Sequence, residues 1–377
     1  MSATQPIIFL TAAEASGDTH AANLITVLAR RLPSARFIGV GGPRMAAAGC
    51  ELLEDVTAHA SMLLGPLTKI PYFRRVIAQV DQAMAQTPPD VLVPVDSPAL
   101  NWHMASAARR RGVPVMYYVA PQVWAWGPWR VRKVRRLTDH VACLLPFEPE
   151  YFRQRGVPAT FVGHPLFDHV PPREPAPVQP PADDAWRIIL LPGSRPGEIR
   201  NHAAAMVRTA ELIRARHPRA EFTICVENDR AAGQVAELAG TSLPIVAGRT
   251  HEIMARSHFA IAKSGTVTLE TAYFGLPMVV VYRASRLAYN LVRWWLFRTK
   301  YLSAVNIVAG REMVPELMPW GGNVDELANA ALRQLENPQA LLAKSSELLA
   351  LADTLRPPTG QSPSEGTAEL VLRTMKQ

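Results

Sequence analysis

IIFLTAAEASGDTH, residues 7 to 20, starts as an apolar run and ends in a stretch with helical periodicity. At the junction stand a carboxylate (Glu14), a hydroxyl (Ser16), a glycine (Gly17) and a second carboxylate (Asp18). Two readings of that junction are open. Ser16 or Asp18 satisfies the orphan N–H groups of a helix start, or the segment lines a ligand cleft. The run itself speaks to the fold. Ile7–Ala12 is apolar almost without alternation, as expected of a strand in a parallel sheet covered by helices on both faces.

The pattern repeats outward from there. Phe37–Gly41, Val91–Val95, Val115–Val119, Val141–Leu145 and Thr160–Gly163 read as further strands between amphipathic stretches, giving a first domain over residues 1–170. Residues 171–184, PPREPAPVQPPADD, are too rich in proline for helix or central strand and read as an extended linker. Ile188–Leu191, Phe222–Val226, Ile245–Ala247, Phe259–Ala262 and Met278–Tyr282 then restart the pattern as a second domain over 185–354. Past residue 323 the chain reads as helical, and a closing helix within 355–377 is expected to pack back on the first domain. The expected class is α/β, with two doubly wound Rossmann-like domains facing across a cleft, an organisation that suits 377 residues of which 48% are hydrophobic.

A net charge of +8 and a pI near 9.7 favour an anionic partner: nucleic acid, an acidic membrane surface or a phosphorylated substrate. Cys50, Cys143 and Cys225 stand far apart in apolar stretches, which reads as reduced, buried thiols of a cytosolic protein. The N-terminal MSATQPIIFL lacks the basic region and long apolar run of an export signal. No uncharged run approaches the roughly 20 residues of a membrane span, since LAYNLVRWWLF is cut by Arg293.

In doubly wound sheets ligands lie outside the carboxyl ends of the strands. Those positions hold Glu14, Ser16 and Gly17, then Asp96-Ser97-Pro98, then Gly163-His164-Pro165; in the second domain they hold Gly193-Ser194-Arg195 and Lys263-Ser264-Gly265-Thr266. Ser264, Gly265, Thr266 and the first N–H groups of the helix behind them suit a phosphate. Arg195 can clamp a diphosphate with its fork of donors, or stand as a surface arginine in a turn. Glu270 can accept from a ribose diol, or be a solvated helix carboxylate. Ser97-Pro98 makes a natural N-cap and first helical residue, which leaves Asp96 as a candidate general base; the plainer alternative is a structural acceptor. Glu14 is the other candidate base, and His164 is either a donor to phosphate or sugar or a structural turn residue. No Walker loop, complete dinucleotide fingerprint, D-x-D pair or metal-ligand spacing occurs, so neither metal nor cofactor is expected.

Two surface segments stand apart. WRVRKVRR, after VWAWGPW, places five basic residues in positions 130–136 and is read as meeting phosphate or membrane rather than nucleic acid. SMLLGPLTKIPYFRR, residues 61–75, is read either as an interfacial segment with Lys69, Arg74 and Arg75 among headgroups or as a core helix, and LVRWWLFRTK is similar.

AEASGDTH, GVGGPRMAAAG, VDSPALN, YYVAPQVWAW, LPFEPEYF, FVGHPL, LLPGSRPGEI, SGTVTLE and YLSAVNIVAGREMVPEL follow one another in the order of the lipid-A-disaccharide synthase family, which the chain resembles through most of its length. The resemblance implies a GT-B fold and transfer of 2,3-diacylglucosamine from UDP to the 6-hydroxyl of 2,3-diacylglucosamine 1-phosphate (lipid X), with inversion. It makes Asp96 the base and Glu14 a necessary neighbour. Ser194, Arg195, Ser264, Gly265, Thr266 and Glu270 fall around UDP, with Asn306 and Glu312 nearby. It also implies a cytoplasmic enzyme peripheral to the anionic inner membrane, no nucleic-acid partner, and a C-terminal helix that permits homodimers. Ala13 replaces the family's usual glycine, and MLLGPLTKI replaces a segment that usually carries glycine and glutamate. The alternatives are another UDP-sugar enzyme, such as a lipid-linked N-acetylglucosamine transferase or a UDP-sugar 2-epimerase, and a noncatalytic nucleotide-sugar or RNA-binding protein. The first of these would carry a G-x-G-G-T-x-G-H loop, which AEASGDTH does not match.

Overall fold

The computed structural model describes residues 5–57, 70–173, 176–284 and 299–375, so most of the interfacial segment at 61–75, and 291–298 of LVRWWLFRTK, lie outside the described residues. The chain divides into two units, Met1–His169 with Leu355–Gln377, and Val170–Thr354.

The first unit carries β1 (Ile7–Ala12), α1 (Ala15–Arg31), β2 (Arg36–Gly41), α2 (Pro43–Ala47), β3 (Cys50–Asp55), α3 (Ile70–Gln86), β4 (Val91–Val95), α4 (Pro98–Arg110), β5 (Met116–Tyr118), α5 (Val131–Leu137), β6 (His140–Cys143), α6 (Glu148–Arg153) and β7 (Ala159–Phe161). Its strands form one parallel sheet in the order β3-β2-β1-β4-β5-β6-β7. The apolar runs are continuous because each face has its own core. Ile8, Leu10, Val91, Val93 and Val95 pack on Leu24 and Leu28 of α1. Phe9 and Leu92 point the other way, into Val80 and Met84 of α3 and Met104 and Ala108 of α4. Each such side chain contributes about 1.5–3 kcal/mol by leaving water, and a one-residue slip would exchange the two faces.

The second unit runs β8 (Arg187–Leu191), α7 (Pro196–Arg216), β9 (Glu221–Val226), α8 (Asp229–Ala239), β10 (Ile245–Ala247), α9 (Thr250–Arg256), β11 (Phe259–Lys263), α10 (Val267–Tyr273), β12 (Met278–Arg283), α11 (Ala304–Ala309), β13 (Glu316–Trp320), α12 (Val324–Leu335) and α13 (Pro338–Asp353). Its parallel sheet has the order β10-β9-β8-β11-β12-β13.

Two strands escaped the sequence reading, and both are sheet edges. In β3, CELLED places Glu51, Glu54 and Asp55 on a half-exposed strand, and the polar residues break the apolar run. In β13 the run ELMPW contains Pro319, which an edge strand tolerates because one side of its backbone needs no partner.

The proline-rich segment is no free spacer. The Arg173 guanidinium stacks 4.6 Å over the Tyr273 ring and pairs with Asp353 at 3.1 Å, the Tyr273 hydroxyl donates to the Pro171 carbonyl, and Val178 N–H donates to Ser345 Oγ. These contacts strap the segment along α10 and α13, so it belongs to the second unit.

The last helix, α14 (Pro363–Met375), packs on α1, β4, β5 and β6 of its own first unit, burying Ala368, Leu370 and Val371. The Asp168 carboxylate fixes its start, accepting from Ser364 N–H at 3.2 Å and Ser364 Oγ at 2.8 Å. Asp168→Ala is therefore expected to cost about 1–2 kcal/mol; a denaturant midpoint that does not move would refute this anchoring.

Candidate active site

Each sheet reverses its winding once, and Glu14, Ser16 and Asp96 in one unit and Gly193–Arg195 and Ser264–Thr266 in the other follow the strands at those points, whereas His164 follows the edge strand β7 and Asn306 and Glu312 lie between β12 and β13. In the first unit the reversal lies between neighbouring β1 and β4, because α1 covers one face of the sheet and α4 the other. A crevice opens where helices leave in opposite directions. Glu14 is the N-cap of α1, with extended backbone (φ −123°, ψ 158°) and no side-chain capping bond. Ser16 is exposed in the first turn.

The capping reading holds for Asp18, but for a different helix. Its carboxylate accepts from Gly42 N–H at 2.9 Å, Met45 N–H at 3.0 Å and Arg44 N–H at 3.1 Å, and so starts α2. Gly17, expected at the ligand, is instead buried against the sheet. A Cβ there would sit 3.4 Å from Ala12 Cβ and 3.5 Å from the Val95 carbonyl oxygen, so the glycine lets α1 approach the strands.

Asp96 and Ser97 follow β4 with φ of 52° and 40°, two successive non-glycine residues in the left-handed region. Such a backbone costs of order 1–3 kcal/mol per residue and persists only where its surroundings over-determine it. Here they do. Asp96 N–H donates to the Tyr118 carbonyl at 3.0 Å, and the Asp96 carbonyl accepts from Asn101 Nδ2 at 2.7 Å and the Tyr117 hydroxyl at 2.6 Å. Asn101, fully buried, also donates to the Val95 carbonyl and accepts from Thr11 Oγ1 at 2.7 Å, tying β1 to the end of β4. Ser97 and Pro98 do take the N-cap and first helical positions, yet the twisted backbone turns the Ser97 hydroxyl away from the helix N–H groups and it makes no capping bond. Asp96, half-buried, lines a cavity of about 210 Å³ together with Trp102, Gln122, Trp126 and Arg130.

The wall of that cavity rests on a residue the sequence reading missed. The fully buried Glu148 accepts from Trp124 Nε1 at 2.9 Å and from the N–H groups of Leu144 and Leu145, and Trp124 packs edge-on against Phe147. Burial pushes the Glu148 carboxyl up to about 7, against the opposing pull of these hydrogen bonds. His164, also buried, accepts the Leu166 N–H on Nδ1 while its own N–H meets the Leu355 carbonyl, which supports the structural reading of that residue.

In the second unit the reversal lies between β8 and β11. Gly193, at φ +113°, turns the chain over Glu198; a Cβ there would come within 2.7 Å of the Glu198 side chain. The Glu198 carboxylate accepts from Ser194 N–H at 3.2 Å and Arg195 N–H at 3.4 Å, and pairs with Lys263 Nζ at 2.6 Å. Burial opposes ionisation of Glu198, but the Lys263 hydrogen bond and charge together with the Arg195 amide outweigh it and hold the carboxyl below its usual range. Glu198 and Lys263 therefore clamp the loops after β8 and β11 to each other. Opposite charges directly beside two candidate phosphate loops are the signal that would have found them.

Arg195 caps α7, its side chain 70% exposed. Ser264 N–H bonds the Val281 carbonyl, and Thr266 is the exposed N-cap of α10. Glu270 is not merely solvated: its carboxylate meets His251 Nε2 at 2.9 Å. Asn306 is held inside its loop. It has no exposed surface, its amide nitrogen donates to the Val314 carbonyl and Glu316, and its oxygen accepts from Met313 and Val314 N–H. With donors and acceptor saturated, its side chain shapes the loop. Glu316 completes that network from the Leu302 and Ser303 N–H groups and the Ser303 hydroxyl. Glu312 lies exposed on the same loop.

The three cysteines are free and buried. Among the described residues no helix is long and apolar enough to cross a membrane.

The sequence model of the lipid-A-disaccharide synthetase family matches residues 8–357. A lipid-A-disaccharide synthase of Geobacter sulfurreducens is 38% identical over 339 residues, 88% of each chain. Among solved structures, the fold is similar to the glycosyltransferase of kitacinnamycin (TM-score 0.63, 16% identity, 98% of this chain and 99% of that one). It is also similar to a UDP-N-acetylglucosamine 2-epimerase from Listeria monocytogenes (TM-score 0.62, 13% identity, 99% and 96%). The two-domain GT-B architecture is thus the fold of this chain.

Removing one partner of the part-buried Lys263–Glu198 pair is expected to cost about 1.5–3 kcal/mol. Lys263→Met should show this at pH 7 in chemical denaturation. Because the Glu198 carboxyl is held low in the folded chain, its contribution is present above the unfolded carboxylate range near pH 4.5 and lost as pH falls below it. The variant's deficit should shrink on acidification; a deficit that does not change with pH would contradict the ion-pair account.

Proposed function

The chain belongs to the lipid-A-disaccharide synthetase family, and on that premise we propose that it transfers 2,3-diacylglucosamine from UDP to 2,3-diacylglucosamine 1-phosphate, forming a β-1,6 disaccharide and UDP. The observation that carries the chemistry is the carboxylate pair Glu14 and Asp96 at the ends of adjacent strands, with Asp96 on a backbone held rigid by Asn101 and Tyr117.

The acceptor's 6-hydroxyl gives its proton to Asp96 as its oxygen attacks the anomeric carbon. The bond from that carbon to the diphosphate breaks, and the electron pair leaves with UDP. Attack opposite the leaving group inverts the configuration and yields the β product. A base positioned in this way supplies roughly 10²–10⁴-fold. Glu14 orients the hydroxyl or shares the proton.

The charge growing on the diphosphate is met in the second unit by Arg195, by the loop amides that Glu198 holds in place, and by Ser264 and Thr266 at the start of α10. Glu270 supports the ribose. Glu198 pairs with Lys263 at 2.6 Å and with Arg195 at 3.6 Å, and the 70% exposure of the Arg195 side chain suits contact with an incoming ligand. In this reading the diphosphate departs without a metal ion, the enzyme works at the inner face of the cytoplasmic membrane, and nucleic acid is no partner. The noncatalytic reading differs in needing no carboxylate at the end of β4.

The test mixes both lipid substrates in detergent and follows the disaccharide by mass spectrometry. Asp96→Asn should lower kcat about 100-fold or more with the donor KM changed less than about threefold. Glu14→Gln should fall less if Glu14 orients and equally if it is the base. Arg195→Ala should chiefly raise the donor KM. Full turnover by Asp96→Asn would end the base assignment, absence of product from the wild type would end the proposed function, and loss of activity in chelator would end the metal-free mechanism.

A further inference from the structure

The cavity beside Asp96 is small and, among the described residues, carries one cation in its lining. About 210 Å³ admits one sugar ring and little more, small beside the roughly 300–1,000 Å³ of pockets for larger ligands. Trp102, 7% exposed, forms its inner wall, with Lys133 Nζ 5.4 Å above the indole ring; Trp126, 39% exposed, stands at the rim. Indole faces of this kind pack against the C–H faces of a sugar while bearing no hydrogen-bonding demand there.

Arg130 lines the same cavity. Gly127, left-handed at φ 65°, and the 3₁₀ turn Pro128–Arg130 fold the chain back so that the Arg130 Nε lies 3.3 Å from the place a Gly127 side chain would occupy. The turn is braced from behind by Trp124 on Glu148. Among the described residues no carboxylate is in ion-pair range of Arg130, and Arg132, Arg135 and Arg136 continue the positive surface along α5. A guanidinium without a carboxylate partner, permanently charged and with donors in a planar fork, matches a phosphomonoester.

In an α-hexose 1-phosphate the hydroxymethyl carrying the 6-hydroxyl and the 1-phosphate flank the ring oxygen and leave from opposite faces of the ring. A ring held between Trp102 and Trp126 with its hydroxyl at Asp96 therefore directs its phosphate elsewhere along the cavity lining, where the cation is Arg130. We propose that Arg130 is the specificity-determining residue that holds the acceptor's phosphate in this cavity; the inference rests on the glycosyl transfer proposed above.

The experiment compares 2,3-diacylglucosamine 1-phosphate with the same sugar lacking the phosphate, in neutral detergent without anionic lipid. Wild type should prefer the phosphorylated acceptor by at least about tenfold in kcat/KM, as expected for loss of a charge-assisted contact. Arg130→Ala should raise the KM for the phosphorylated acceptor by about 10- to 100-fold, bring the preference close to one, and leave the donor KM and UDP affinity unchanged. Arg130→Lys should recover part of the preference, since the charge stays and the fork is lost.

Undiminished turnover of the unphosphorylated acceptor in the variants guards against a folding defect, because that acceptor uses the same unit and the same cavity. Equal losses on both acceptors, or none on either, would overturn the proposal. So would a defect seen only with phosphatidylglycerol vesicles present, which would give Arg130 to a bilayer headgroup. A wild type that turns over neither acceptor refutes the underlying reaction instead, so the two failures are told apart.

Discussion

Parallel strands cannot be joined by a tight turn, and every connection must carry the chain back to the far end of the sheet. That constraint places all strand exits of a sheet along one edge. In each unit it gathers residues distant in sequence: Glu14 beside Asp96 in the first, Arg195 beside Thr266 in the second. The winding reversal then removes helices from one gap per sheet, and the remaining polar chemistry has a place to sit. Everything proposed about turnover follows from side chains that this arrangement leaves exposed at an otherwise apolar scaffold.

The loops at these gaps are ordered by buried polar contacts more than by their own conformational preferences. Asn101 reaches β1 and the end of β4 at once, Glu148 carries the indole of Trp124, and Glu198 holds the amides of one loop and the ammonium of the next. Each network is nearly complete, as buried polar groups must be if they are to rigidify a fold without destabilising it. Groups that meet a ligand are thereby fixed before the ligand arrives, which lowers the cost of binding.

Much of this was legible in the chain itself. The apolar strands announced the parallel sheets, and the small and hydroxylated residues behind them announced the gaps, because backbone periodicity and local turn chemistry are near-neighbour properties. Edge strands β3 and β13 were not, since one carries acids and the other a proline where no second neighbour pairs. Asn306 carried a motif resemblance but no local sign that its amide would be saturated by residues seven to ten positions on. Glu148 acts through a distant indole and around a tight loop, which no window of sequence displays, and Glu198 and Lys263 stand 65 positions apart, where only their opposite charges beside the two loops hint at a partnership. Gly17 and Asp18 show the same limit: their residue types were right for a junction, while their partners lie on β1, β4 and α2.

The left-handed pair at Asp96 and Ser97 carries an evolutionary consequence. Backbone relaxation there would raise heat resistance, because the folded state would no longer hold two L-residues where glycine is at home. The same relaxation would let the carboxylate wander. A lineage moving to hotter habitats has to find its added stability elsewhere in the chain and leave these two positions as they are.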